Sequence, residues 1–356
     1  MRHLLRTALM VIALISLTSC SFGYLFKQGM RQMNLYSKRV PVSKVLSDPN
    51  VSEEIKSKLQ FAQLVREFAE EKLGLKKTKN YTTYLPLKTD YVSYAVTAAE
   101  RTSMTQFLWR FPIVGAIPYK GFFDVGDAKR EVEKLKNKGL DTYIRGVSAY
   151  STLGWFADPL TTPLLTRLSD ASLAELIIHE LTHSTIYLAN QGSFNETLAD
   201  FVGEEGCRMF LAEHFGKSSS ELRRYEGAKR DSEKWNKFIQ ESVEELRQFY
   251  AAHKDDPEII DKREKKFDEL KRALMRRVIP NVTARKFYEG YVEIPWNNAF
   301  LLSYLTYSTN PELFEELYSG LGKDFPKFIS KIKEVEDRPS EESPFDTLKR
   351  FIDTQK

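Results

Sequence analysis

The sequence predicts an α+β fold that is mostly helical. Residues 91–96 and 143–147 are rich in β-branched and aromatic side chains and are bounded by Gly, Pro and Asp, which predicts strands. From about Ser169 onward, apolar residues recur almost entirely at helical spacing. We therefore expect a small mixed β-sheet in the first half of the chain and a helical second half.

Residues 1–19 predict a secretory signal peptide. Arg2 and Arg6 give it a positive start, and residues 8–15 form a short apolar core. A stretch of this length cannot cross a bilayer as a permanent helix, which needs about 20 residues. The segment closes with Leu17-Thr18-Ser19-Cys20.

That closing tetrapeptide resembles the lipobox of bacterial lipoproteins. The resemblance implies that Cys20 is acylated and becomes the first residue of the mature chain. Ser21 follows where an inner-membrane retention signal often places Asp. In a Gram-negative host this implies the outer membrane, facing the periplasm. We therefore expect a protein of the cell envelope that is attached to the membrane by a lipid on Cys20.

Composition and charge agree with an exported globular protein. The formal net charge is +4, and it falls to +2 when Arg2 and Arg6 are removed with the signal. A nucleic-acid-binding protein usually shows a concentrated basic face, so we expect no nucleic-acid partner. With Cys20 lipidated, Cys207 has no partner for a disulfide, and stability must come from the core.

Residues 20–50 are expected to form a tether followed by short helices. Ser52–Leu75 predicts an amphipathic helix, because its Ser52-Glu53-Glu54 start suits the positive end of a helix dipole. The stretch Gly115–Phe123 predicts a strand with a bend.

We assign residues 51–350 to a single domain that carries a helical hairpin over about 217–278. That segment is dense in charge and has a break at Asp255-Asp256-Pro257. Amphipathic helices normally bury their apolar stripe on their own domain, and the alternative is a hairpin that gates a cleft or holds a partner. A further helix is expected around Asn297–Tyr307.

The central motif is His179-Glu180-Leu181-Thr182-His183. Histidines four residues apart lie on one face of a helix, where they can bind one metal ion. This HExxH spacing predicts a zinc ion that activates water, with Glu180 as the general base. The surrounding residues are apolar nearly all round the helix, so these polar groups would be costly to bury without a metal.

A third ligand is expected from the next helix. Glu196 lies in its first turn and can face back towards the histidines. Asp200, one turn later, could accept a hydrogen bond from a ligand imidazole. Glu204 and Glu205 are alternatives for either role.

His179-Glu180-x-x-His183 followed by Asn195-Glu196-x-x-Ala199 resembles the gluzincin class of zincin-like peptidases. The chain is also similar to a bacterial family of predicted aminopeptidases, many of them lipoproteins. Besides the lipobox, the stretches that carry this similarity are Pro118–Gly121, Ala149–Phe156, the metal helices through Gly206, and Asn297–Ala299.

The resemblance implies a zincin-like fold, one zinc ion at His179, His183 and Glu196, and a peptide substrate that is trimmed from its N-terminus. Gluzincin aminopeptidases typically bind the substrate amine with a Gly-x-Met-Glu-Asn stretch, and this sequence has none. Endopeptidase action therefore stays open. An envelope scaffold lipoprotein with a structural zinc is the alternative outside enzymes.

Two further roles can be assigned to candidates. In zincins an edge strand before the metal helix usually binds the substrate backbone, and 143–149 or 150–154 could serve, with Tyr150 and Asn298 as candidate substrate contacts. A peptidase also needs a donor for the oxyanion. We expect Tyr307 in this role; its rivals are Tyr288, Tyr291 and Tyr304.

Overall fold

The computed structural model describes residues 23–111, 115–148, 157–305, 310–336 and 342–354. It is mostly helical, at 63%, with small sheets, which confirms the predicted α+β class. Cys20, Tyr150 and Tyr307 lie outside the described residues.

The first part of the described chain forms three helices. Helix α1 covers 23–36, and α2 (Val42–Leu46) follows the two-residue strand β1 (Val40–Pro41). Helix α3 (Glu53–Glu71) begins after Ser52, whose side chain accepts a hydrogen bond from the backbone of Ile55 and so satisfies one free donor of the first turn. Its apolar face packs against the helix that carries the HExxH motif.

The β-structure is divided among three small sheets. Strand β3 (Ser93–Ala99) is central in one sheet, between β6 (Tyr119–Phe122) and β7 (Asp141–Val147), and both pairings are antiparallel. A mixed sheet joins β1 with β2 (Thr83–Leu85) and β8 (Leu160–Thr161). The two remaining strands, β4 (Trp109–Phe111) and β5 (Gly115–Ile117), form a hairpin. The single sheet expected from the sequence is therefore split.

The predicted bend in Gly115–Phe123 is confirmed. It divides β5 from β6 at Pro118, which has no backbone N–H for the ladder. Helix α4 (Val125–Lys136) follows and covers β3 and β7.

The helices that carry the HExxH motif and the proposed third ligand form the centre of the larger hydrophobic core. After α5 (Thr162–Arg167), α6 (Asp170–Thr185) and α7 (Gly192–His214) pack against each other along their length. Buried side chains of α6 and α7, among them Ile177, Ile178 and Phe210, meet those of α3.

Two long helices occupy the region predicted as a hairpin, α8 (Ser220–Ala252) and α9 (Ile259–Arg277). Their apolar side chains, including Phe238 and Leu270, form a second core cluster. The helices that complete the described chain are α10 (Arg285–Glu293), α11 (Asn298–Ser303), α12 (Pro311–Gly320), α13 (Phe325–Glu336) and α14 (Pro344–Asp353). Among the described residues, no helix is both long and apolar enough to cross a membrane.

Candidate metal centre

Helix α6 places two imidazoles side by side. Ser169 caps its N-terminus by accepting a hydrogen bond from Ser172, and the helix continues without a break through His183. The Nε2 atoms of His179 and His183 are 3.1 Å apart, and the two ring planes are nearly perpendicular. The spacing of four residues therefore brings both nitrogens to one point.

The loop between α6 and α7 brings in the carboxylate. Buried Asn195 pins this loop, because its side chain both accepts from the backbone N–H of Leu188 at 2.9 Å and donates to the Leu188 carbonyl at 2.8 Å. The adjacent Glu196 then lies against the imidazoles. Its oxygens are 3.7 Å from Nε2 of His179 and 3.5 Å from Nε2 of His183.

Small residues on α7 allow this close approach. A Cβ atom on Gly203 would lie 3.3 Å from both the Glu175 carbonyl and the His179 Cβ. A Cβ on Gly206 would meet a methyl group of Leu73 at 2.6 Å. A larger residue at Gly203 would thus push α7 away from the histidine helix.

Asp200 lies beside the ring of His179. Its Oδ1 is 3.1 Å from Nδ1 of His179, on the ring edge that faces away from His183. Burial opposes the charged form of His179, but the hydrogen bond and charge of Asp200 outweigh it, and the pKa of His179 is raised. Such a carboxylate fixes the orientation of a ligand imidazole.

Glu180 lies close enough to His179 for its charge to help raise the pKa of that histidine. Its Oε2 is buried and has no hydrogen-bond partner among the described residues, and the same holds for Nδ1 of His183. The His183 hydrogen bond lowers the pKa of Glu196, against the effect of burial. The site therefore combines charged oxygens with ring nitrogens and leaves one carboxylate free to act on a small molecule.

The two rival glutamates are held elsewhere. Glu204 pairs with Lys229 of α8, and Glu205 pairs with Arg208. Lys229 also binds Glu175 on α6 at 2.8 Å. These ion pairs leave Glu196 as the carboxylate that meets both imidazoles.

One supporting residue was missed by the sequence reasoning. Asn80 is buried, and its amide donates to the Ser184 hydroxyl at 2.8 Å while its carbonyl oxygen accepts from the backbone of Asp158 at 3.1 Å. Ser184 in turn donates to the Glu180 carbonyl at 3.1 Å. Asn80 lies in a polar loop before β2, where no local pattern marks it.

The donor set fits a tetrahedral metal ion. Ligand atoms about 2.0–2.1 Å from a tetrahedral zinc are roughly 3.3 Å from one another. The separations of 3.1, 3.5 and 3.7 Å between the His179, His183 and Glu196 atoms are close to that value. These three residues form the one group of possible metal ligands found among the described residues. Two nitrogens and one oxygen suit zinc and leave a fourth position for water.

Asn298 lies in the core, not at this centre. The residue is fully buried in the cluster that α8 and α9 line, and its amide donates to the carbonyls of Glu100 and Ser103. Its amide oxygen accepts from Tyr250. The predicted substrate contact, Asn298, therefore has both its amide oxygen and its amide nitrogen engaged within the core.

The rival tyrosines belong to the same second cluster. Tyr288, Tyr291 and Tyr304 pack around Trp235, and burial raises the pKa of Tyr288 and of Tyr304 to about 12. The Tyr304 hydroxyl lies 3.3 Å from that of Tyr143. Their observed partners are aromatic side chains and one another.

Strand β7 is at the edge of its sheet over the residues that the structure describes. The residue after it, Ser148, lines a small cavity together with Leu176 of α6. The predicted edge strand therefore ends beside the histidine helix.

Comparison with known proteins finds a match to a protein family. The model of a family described as "Putative aminopeptidase" matches residues 23–344 of the chain. No curated protein and no solved structure gives a significant match. The matched range contains every residue of the metal centre.

Proposed function

We propose, on the premise that the chain belongs to the family described as "Putative aminopeptidase", that it hydrolyses peptide bonds with a zinc ion held by His179, His183 and Glu196. The observation that carries the proposal is the convergence of two imidazole nitrogens and one carboxylate, with separations of 3.1–3.7 Å. A structural zinc is normally closed by four protein ligands, whereas a catalytic one keeps an open position. Three donors therefore favour an enzyme over a scaffold with a structural zinc.

The chemistry that zinc supplies here is to lower the pKa of a water molecule and to polarise the scissile carbonyl. Glu180 follows His179 directly and has a buried carboxylate oxygen with no hydrogen-bond partner in the part of the chain that the structure describes. It takes a proton from the attacking water as the C–O bond forms, and then passes that proton to the nitrogen of the leaving amine as the C–N bond breaks. Asp200 holds the ring of His179 in place.

The substrate backbone is proposed to lie along β7 or the segment after it, where Tyr150 is a candidate contact. Tyr307 is proposed to donate to the oxyanion, because Tyr288, Tyr291 and Tyr304 are packed in the second cluster. The protein would act in the bacterial cell envelope, attached through a lipid on Cys20 and, in a Gram-negative host, on the outer membrane facing the periplasm.

The test is zinc content measured together with cleavage of a mixed peptide library by the full chain and two variants. Glu180→Gln is expected to keep about one zinc per chain and to lose activity by a factor of about 10²–10⁴, because only the proton carrier is removed. His183→Ala is expected to lose both zinc and activity, because a ligand is removed. Glu213→Gln, at an exposed site on α7, serves as the matched control.

The cleavage products decide the type of peptidase. Release of single residues from the N-terminus supports an aminopeptidase, and internal cuts indicate an endopeptidase. Full activity in Glu180→Gln would contradict the mechanism. Bound zinc without any cleavage by the parent chain would favour the scaffold.

A further inference from the structure

Helix α1 turns a set of apolar side chains to solvent, while most of its contacts with the rest of the protein are made by polar side chains. Tyr24, Lys27, Gln28 and Arg31 recur at three- and four-residue spacing and face the protein. An ordinary surface helix packs its apolar stripe against the core and turns its polar side to solvent. In α1 the ring of Tyr24 packs against Phe111 and Phe122, but the other side chains of this inner set are polar, and several apolar side chains face solvent.

Polar contacts hold the inner face in place. Lys27 and Arg31 bind the carboxylate of Asp127 at 2.9 and 2.6 Å. The side-chain oxygen of Gln28 accepts a hydrogen bond from the backbone of Phe123 at 3.2 Å. These contacts fix the rotation of α1 about its axis, and the outer face is fixed with it.

The outer face is apolar and open to solvent. Leu25, Phe26, Met30 and Met33 are 42%, 65%, 52% and 67% exposed. The last three follow the i, i+4, i+7 spacing of a single helix face, and Leu25 borders it. We refer to these four residues as the outer stripe. Exposed apolar side chains grouped on one helix face are typical of an interaction site.

We propose that the outer stripe of α1 lies in the membrane surface, so that α1 is a second attachment to the bilayer beside the lipid. The inference rests on the proposed lipid at Cys20. Two residues lie between Cys20 and the start of α1 at residue 23, and an extended chain covers about 10 Å over these three steps. The tether would thus hold α1 within about one headgroup layer of the lipid.

Charge around the helix also favours a bilayer. Lys27, Arg31 and Arg130 all pair with Asp127, and Asp124 is the other carboxylate in this group. Lys27 and Arg130 nevertheless keep 50% and 66% of their side-chain surface exposed, so some positive charge stays accessible near α1. Accessible positive charge suits anionic headgroups, while the apolar face of an interfacial helix sits about 5–10 Å into the headgroup and acyl boundary.

The test uses the full-length lipidated protein in vesicles of phosphatidylethanolamine and phosphatidylglycerol. Single variants Phe26→Cys, Met30→Cys and Met33→Cys carry an environment-sensitive fluorophore. Met275→Cys is the matched control, since Met275 is an equally exposed apolar residue, at 54%, on α9. Cys207 is buried and does not compete for the label.

The three probes on α1 are expected to shift to shorter emission wavelength and to be quenched by spin-labelled acyl chains, while the probe at 275 stays unquenched. Equal, unquenched emission at all four positions on vesicle-bound protein would overturn the proposal. A blue shift without lipid quenching that disappears on dilution would also overturn it, in favour of a second copy of the chain. Peptidase activity is not a readout, so the proposed function stands or falls separately.

Discussion

Two groups of carboxylates on the same helix pair differ in their partners. At one end of the contact between α6 and α7, Glu196 and Asp200 meet imidazoles. Two turns along α7, Glu204 and Glu205 meet Lys229 and Arg208. Within the described residues, no Lys or Arg forms an ion pair with Glu180, Glu196 or Asp200.

The different partners indicate a different role for each group of carboxylates. Lysine and arginine bring permanent positive charge, so the group around Lys229 is complete in itself and ties α6, α7 and α8 together. Imidazoles are neutral or charged according to pH, and their nitrogens can instead bind a metal. The end with imidazoles is thus short of positive charge, which a divalent cation would provide.

The largest effect is expected from Gly203→Ala. Gly203 lies against both Glu175, which belongs to the group around Lys229, and His179, which belongs to the imidazole group. The added methyl group would lie 3.3 Å from the Glu175 backbone oxygen and from the His179 Cβ, so α7 would have to shift from α6 by a few tenths of an ångström. Peptidase activity is expected to fall about 100-fold, since small displacements in an active site are costly. The control is Gly290→Ala, where a Cβ meets nothing within 4 Å, and it should keep full kcat/KM.

Removing one charge at each end is the next comparison. Asp200→Asn keeps the shape but removes the negative charge beside His179, and zinc affinity or activity is expected to fall about 10–100-fold. Glu205→Gln removes a charge from the other group and should leave both values unchanged. Zinc titration with a competing chelator measures the first effect. Equal losses in the two variants would contradict the distinction between the groups.

A stability effect is expected from Lys229→Met. The change leaves Glu175 and Glu204 without their shared partner, and because the three side chains are partly exposed we expect a loss of about 1–3 kcal/mol in the free energy of unfolding. Denaturant unfolding measures it. Arg277→Met breaks an exposed pair with Glu241 and should cost less than about 1 kcal/mol.

The smallest effect concerns pH. Burial raises the pKa of Glu204 even though Lys229 opposes it. Glu204 therefore contributes stability below about pH 4.5, and that contribution is lost as the pH rises through its raised pKa. The free energy of unfolding of Glu204→Gln, measured relative to the parent chain, should therefore be higher at pH 7 than at pH 4. Parallel unfolding curves at the two pH values would show a gap that grows in this direction, and a constant gap would contradict it.

Local spacing made the histidine helix and its neighbours predictable. The strands at 93–99 and 141–147, the bend at Pro118 and the cap at Ser52 follow from residues within one turn or one pleat. The sequence left Glu196, Glu204 and Glu205 as possible ligands, because all three lie on one helix within three turns. Lys229, which holds Glu204, lies 25 positions further along the chain, whereas Arg208, which holds Glu205, is three positions away.

The sequence by itself determined the chemistry available to this protein: two histidines four apart with a glutamate between them, in an apolar helix. Only the tertiary structure decided that Asn298 is a core residue, that Asn80 supports the HExxH helix, and that α1 turns its apolar side outward. The physical reason is the distance along the chain over which each interaction acts. Helical periodicity fixes which side chains share a face, whereas the packing of separate elements fixes which faces meet, and that depends on burial across the whole chain.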